Sequence, residues 1–154
     1  MTASRRPLLI AAAVLSFVAV GLALVTQHVF DMQPCPWCVL QRLIFVVIGA
    51  ACLIALAVPR AGGLAVLLLS VCGIAAALWQ HFVAASSDSC NLTLAERIIS
   101  GLGLDGMAPE VFQARASCAD AAVSMLGVPY EFYSLALFVV LAALGWRVLA
   151  GRTG

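Results

Sequence analysis

Four apolar runs decide the solvent in which this chain folds. Residues 7–27, 39–58, 62–83 and 128–149 are each long enough, as helices rising ~1.5 Å per residue, to cross a hydrocarbon core of ~30 Å. The first and third carry no charge, the second none from Leu43 onward, and the fourth only Glu131 and Arg147 near its ends. Of 154 residues, 64% are hydrophobic and 10% charged, against ~25% charged in a soluble domain. A water-facing fold could not cover that much apolar surface, so the lipid bilayer is the expected surrounding. The expected fold class is an all-α membrane protein. One domain over residues 1–154 would form an antiparallel four-helix bundle, with a short outer loop at 28–38 and a long one at 84–127. Only Pro59, Arg60 and Ala61 separate the second and third runs, which predicts a tight helical hairpin. The chain has no lysine and its arginines are scattered, which gives no basis for binding nucleic acid.

Arg5 and Arg6 precede the first run, as in a signal peptide. The run is longer than a usual signal core and no small-residue cleavage site follows in "VTQHVF", so a retained span is expected. With four spans, Arg5, Arg6, Arg60, Arg147 and Arg152 fall on one side of the bilayer. All seven acidic residues, Asp31, Asp88, Glu96, Asp105, Glu110, Asp120 and Glu131, fall on the other, with Arg42, Arg97 and Arg115. The arginine bias makes the first side cytoplasmic, holding both termini. The two loops then face the oxidising side, the periplasm if the chain is bacterial.

That orientation sorts the six cysteines. Cys35, Cys38, Cys90 and Cys118 lie outside, while Cys52 and Cys72 lie within spans two and three and read as small apolar residues. In "QPCPWCVLQR", residues 33–42, Cys35 can cap a helix whose first turn holds Pro36 and Cys38. Free N–H groups and the helix dipole then favour a thiolate. Arg42 lies one turn below Cys38 on the same face; an arginine below the interface is costly and calls for a partner or a task. A purely structural disulfide over so short a loop would add little stability. A closed zinc site would need a second close pair, whereas Cys90 and Cys118 stand 28 apart, and His28 and His81 complete no ligand pattern; no metal is expected. Cys90 and Cys118 would staple the long loop or exchange disulfides with the first pair. Four cysteines allow three connectivities, and spacing alone chooses none. In the same loop "TLAE", Thr93–Glu96, is a capping box that predicts a short helix with Leu94, Ala95, Ile98, Ile99 and Leu102 on one face, lying at the membrane surface. Pro109 suits a first helical turn, and Trp37 and Trp79 suit interfacial anchors.

Four spans, a CxxC opening the second, an arginine four residues on and two cysteines between spans three and four together resemble the DsbB family of bacterial inner-membrane disulfide-forming proteins. The resemblance covers Arg5 to about Trp146. It implies that Cys90 forms the mixed disulfide with a periplasmic thioredoxin-like oxidase of the DsbA type. Cys118 resembles the partner of Cys90, afterwards attacked by the cysteine matching Cys35. Cys38 resembles the thiolate beside bound quinone, and Arg42 the arginine that holds or polarises that quinone. His81, in "LWQHF", falls where family members often have a histidine near the quinone. The implied activity is a quinone-dependent protein-dithiol oxidase, acting as a monomer and reducing ubiquinone or menaquinone. A vitamin K epoxide reductase-like protein also combines four helices, a CxxC and a quinone, but carries its CxxC in the last core span. A membrane scaffold with structural disulfides would be indifferent to Cys35→Ser and Cys38→Ser.

Overall fold

The computed structural model describes residues 5–86 and 93–151. Four long helices form the body: α1 (Arg5–Val29), α2 (Pro36–Ile54), α3 (Pro59–Phe82) and α7 (Glu131–Ala150). All four are long and apolar enough to cross a membrane. Between α3 and α7 lie a 3-10 turn (Ala84–Ser86), α4 (Leu94–Gly101), α5 (Leu104–Met107), α6 (Pro109–Phe112) and a hairpin of β1 (Ser124–Met125) and β2 (Val128–Pro129). Cys90 and the polar stretch around it, and Arg152 at the other end, lie outside the described residues.

The helix ends follow local chemistry more closely than hydropathy. α2 begins at Pro36, three residues before the apolar run, because Cys35 caps it and proline, lacking an N–H, fits the first turn. α3 likewise begins at Pro59, so the turn between α2 and α3 is Ala55–Val58 and the expected linker Pro59–Ala61 becomes helix. α7 begins at Glu131, after a hairpin whose two turn residues, Leu126 and Gly127, have φ of 54° and 82°. Two successive positive φ values suit a two-residue hairpin turn, and glycine at the second makes that conformation inexpensive.

Lipid is as apolar as leucine, so close packing must hold the helices together. The core is built from Leu9, Phe45, Ile48, Cys52, Val66, Phe138, Leu141 and Val148. Phe45 of α2 stacks on Phe138 of α7, with ring centroids 4.1 Å apart. α3 and α7 cross where Gly63 faces Gly145. A Cβ on Gly145 would sit 2.9 Å from the Gly63 carbonyl oxygen, so only hydrogen fits between the backbones. Gly49 and Gly73 make room for Phe17 and Phe138, whereas Ala75 faces outward. Cys52 is buried in this core, Cys72 is exposed on the apolar belt, and both are free thiols. Arg5 donates to the Gly151 carbonyl, so the two described ends of the chain meet at one end of the bundle. The loops close over the other.

The capping box is present. Glu96 N donates to Thr93 Oγ1 at 3.2 Å, and Thr93 N donates to Glu96 Oε2 at 2.7 Å. The apolar face of α4 divides: Ala95 and Ile99 are buried against the bundle, while Leu94, Ile98 and Leu102 form an exposed stripe.

Candidate functional site

Three sulfurs meet at the loop end of α2. Cys35, at the N-cap, is fully buried, and its Sγ lies 2.7 Å from that of Cys38. Cys118 packs in the same cluster and shares a hydrogen bond with Cys35. Its approach is set by the backbone: Arg115 N and Ala116 N both donate to the Pro34 carbonyl, at 2.9 and 3.3 Å. Ser117 and Asp120 then close a tight turn around it, with Asp120 N donating to Ser117 Oγ.

The helix start does aim its free amides at sulfur, and the amide of Cys35 donates to Cys38. Cys38 N donates to Cys35 Sγ at 3.3 Å, and Trp37 N donates to Cys118. Cys118 is held below the ordinary thiol range by the hydrogen bond from Cys35, with the Trp37 amide adding to it against the cost of burial. Cys35 is pushed well above that range by its bonds to Cys118 and Cys38 and by burial. The sign follows: Cys118 keeps thiolate character as pH falls below the usual thiol pKa, whereas Cys35 becomes anionic only well above it. In the fully reduced protein, alkylation at Cys118 is therefore expected to outlast alkylation at Cys35 as pH is lowered. Peptide mapping after a short pulse of iodoacetamide across a pH series checks this; equal profiles would show that the two sulfurs do not divide the charge in this way.

Cys38 also receives a side-chain donor. Gln41 Nε2 donates to Gln80 Oε1 at 2.8 Å, and Gln80 Nε2 donates to Cys38 Sγ at 3.3 Å. This link from α2 to α3 and back joins residues 39 and 42 apart, a separation no local motif reveals. What the sequence did offer was two glutamines inside apolar runs, where polar groups are expensive. Cys38 also lines a cavity of about 260 Å³. That is near the lower bound of the ~300–1,000 Å³ of small-molecule pockets. Its walls are mostly apolar, from Ala19, Leu22, Phe45 and Leu137, and its polar wall includes Arg42, Tyr130 and Glu131. Cys35 and Cys118 do not line it.

Arg42 is only 5% exposed. Its guanidinium donates to Gln27 Oε1 at 2.7 Å and to the carbonyls of Val111 and Ala23 at 3.2 and 3.3 Å. Each hydrogen bond to a charged group contributes roughly 1.5–3 kcal/mol, which together offset the ~2.5–3.5 kcal/mol cost of an arginine within a membrane helix. All three acceptors are neutral, and among the described residues no carboxylate pairs with Arg42. The cavity wall therefore carries a satisfied but unneutralised positive charge, a setting that favours an anion.

Of the expected site residues, the structure brings Cys35, Cys38 and Cys118 into contact and sets Arg42 beside Cys38 on the cavity wall. Cys90 lies outside the described residues. His81 does not line the cavity; its Nδ1 lies 2.6 Å from Oε1 of Glu131, which does. Trp37 is buried against the sulfur cluster and leans on the half-exposed Trp79, ring centroids 6.2 Å apart, so it is more than an interfacial anchor.

Comparison with known proteins adds an independent line. The family model for disulfide bond formation protein DsbB matches residues 5–148. Disulfide bond formation protein B of Ralstonia nicotianae is 35% identical over 150 residues, covering 92% of this chain and 92% of its own. The protein of the same name from Herminiimonas arsenicoxydans is 30% identical, covering 89% of this chain and 90% of its own. Disulfide bond formation protein B 2 of Burkholderia lata is 32% identical over 97% of this chain and 92% of its own.

Proposed function

The chain belongs to the DsbB family, and from that premise we propose that it reoxidises a DsbA-like periplasmic oxidase and passes the electrons to a membrane quinone. Disulfide oxidoreductase chemistry comes with the family; the partner, the acceptor and the order of transfer are our reading of the site. The observation that carries it is Cys38, which touches Cys35 on one side and lines the apolar cavity on the other.

The chain's own sulfurs support a definite sequence. A thiolate of the partner attacks Cys90 in a Cys90–Cys118 disulfide, forming the partner–Cys90 bond and expelling Cys118 as thiolate. A stabilised thiolate leaves faster, and Trp37 N–H stabilises this one. Cys118 then attacks Cys35 of a Cys35–Cys38 disulfide, and Cys38 leaves as thiolate at the cavity wall, where the Gln80 amide receives it. The released Cys118 thiolate, packed against Cys35, is then the nucleophile and Cys35 the sulfur attacked, the reverse of the direction first expected. A second partner thiolate resolves the partner–Cys90 bond, releasing the partner as a disulfide; the Cys90 thiolate then attacks Cys118, re-forming Cys90–Cys118 and freeing Cys35, and Cys35 and Cys38 re-form their disulfide as two electrons pass to the acceptor.

The cavity fits a quinone. Apolar walls suit a ring and the first part of an isoprenoid tail, and Arg42 suits a carbonyl oxygen. When bound, ubiquinone or menaquinone would supply a two-electron, two-proton sink. Arg42 would attract charge developing on the acceptor and on Cys38 alike. In this reading the chain is a monomer of the bacterial inner membrane with cytoplasmic termini, which puts the sulfur cluster at the periplasmic face.

Purified protein mixed with a reduced thioredoxin-fold oxidase and a soluble quinone analogue should form one quinol per partner disulfide. With Cys118→Ala, the adduct should accumulate at Cys90. Absence of quinol from the intact protein, or an adduct at Cys118 in the Cys90→Ala variant, would overturn the scheme.

A further inference from the structure

Glu131 is a carboxylic side chain only 6% exposed, at the first turn of α7. Oε1 lies 2.6 Å from Nδ1 of His81 on α3. Oε2 is buried and has no hydrogen-bond partner. A buried polar atom left unpaired costs roughly 1–3 kcal/mol, more for a charged group. Glu131 also lines the cavity that Cys38 and Arg42 line. A carboxyl oxygen held in a mostly apolar wall without a partner is suited to a ligand atom that can share a proton with it. His81 is 31% exposed and packs edge-on against Phe82 and Phe132. Its ring therefore reaches the loop-end surface while holding the carboxyl group.

We infer that Glu131, backed by His81, is the proton donor to the electron acceptor of this cavity, an inference that rests on the functional reading above. Oxidising the dithiol breaks two S–H bonds and forms one S–S bond; two electrons go to the acceptor, and its two carbonyl oxygens become hydroxyls. The partner's thiol protons depart at the watery end, where its attacking thiolates form, and Cys38 emerges at the cavity wall as a thiolate with no proton to give. The acceptor oxygens lie within the cavity and need a donor there. Glu131 gives the proton carried at Oε2, His81 N–H stabilises the carboxylate left behind, and the histidine takes a replacement from water and returns it to the carboxyl group. Two such cycles complete one turnover. Arg42, Tyr130 and Tyr133 also face the cavity. Arginine holds its proton throughout, and the tyrosine hydroxyls are engaged by Thr26 and by the Met125 carbonyl. Among the described residues that line the cavity, Glu131, backed by His81 behind the wall, is the one suited to carry a proton inward.

The test is Glu131→Gln, which keeps shape and hydrogen bonding but cannot donate an acidic proton. A quinone analogue should bind this variant within about 3-fold of the intact protein, showing that the cavity is folded. The partner should still form its mixed disulfide at the loop. Quinol formation should fall by roughly 10²–10⁴-fold, the usual contribution of a positioned acid, and Glu131→Asp should recover part of the loss. Independently of turnover, difference infrared spectra of the intact protein with and without the analogue should show a carboxyl C=O band that is missing from Glu131→Gln. Equal quinol rates in the intact protein and Glu131→Gln, or infrared spectra that do not differ between them, would overturn the assignment. Failure of the intact protein to form quinol would instead remove the functional reading, while the infrared band would still report whether Glu131 meets the ring.

Discussion

Replacing Cys38 with serine is expected to lower quinol formation at least about 10³-fold, since loss of a central nucleophile commonly costs that much or more. The expectation rests on position. Cys38 is the one cysteine of the contacting sulfur cluster that also lines the cavity, so electrons reaching Cys35 have no other described sulfur through which to leave. The upstream half should survive. A partner oxidase should still be captured at Cys90, because Cys90 and Cys118 are untouched. Stopped-flow quinone absorbance and non-reducing gels, run on one preparation, read the two halves separately. Residual quinol formation above a tenth of the intact rate would mean that another group feeds the acceptor.

Arg42→Met is expected to raise KM for the quinone analogue by roughly 10²-fold and to lower kcat as well. Removing a charge-assisted contact of a buried site costs about 2–4 kcal/mol, and ~1.4 kcal/mol is a tenfold change. Methionine fills similar space, so packing is not the main loss. The freed Gln27 Oε1 would remain near the cavity as an unpaired oxygen and repel electron density there, whereas the Ala23 carbonyl keeps the Thr26 hydroxyl. Arg42→Lys should recover only part of the effect, since a single ammonium cannot reproduce the planar fork that reaches acceptors on α1 and α6. Steady-state kinetics with a soluble analogue, together with a binding titration on non-turning protein, separate affinity from rate. Unchanged KM and affinity would show that Arg42 holds the loops and not the acceptor.

Much of this architecture is written locally. Long apolar runs mark the four helices, because a bilayer admits few alternatives for the backbone. Cys35-Pro36 marks the start of α2, and Thr93–Glu96 marks α4, since caps are short-range devices. The spacing of Cys38 and Arg42 put both on one helix face, and both line the cavity. Other features depend on chain paths that periodicity cannot express. Nothing near Glu131 announces that α7 will set it against His81, 50 positions earlier. The Gln80 amide on Cys38 is of the same kind. The hairpin at 124–129 is too short to show an alternating pattern, and a glycine at its turn was its one local sign. The helix start supplies amides to Cys35 and Cys38, as the CxxC spacing predicts; that Cys118 also receives one is not told by spacing, because it comes from a distant loop.

The bond pair between residues 115 and 116 and the Pro34 carbonyl has a consequence for how this molecule can vary. Two peptide groups moor the approach of Cys118 and the Ser117–Asp120 turn completes it, so the address is spelled mostly in chain path. At 115 and 116 the side chains are left open to change, and a residue without an amide hydrogen would cut the mooring. A main-chain tether of two bonds is also light enough to slip. In the proposed relay, that slack would let the same sulfur serve two exchange partners in turn while the spanning helices stay still.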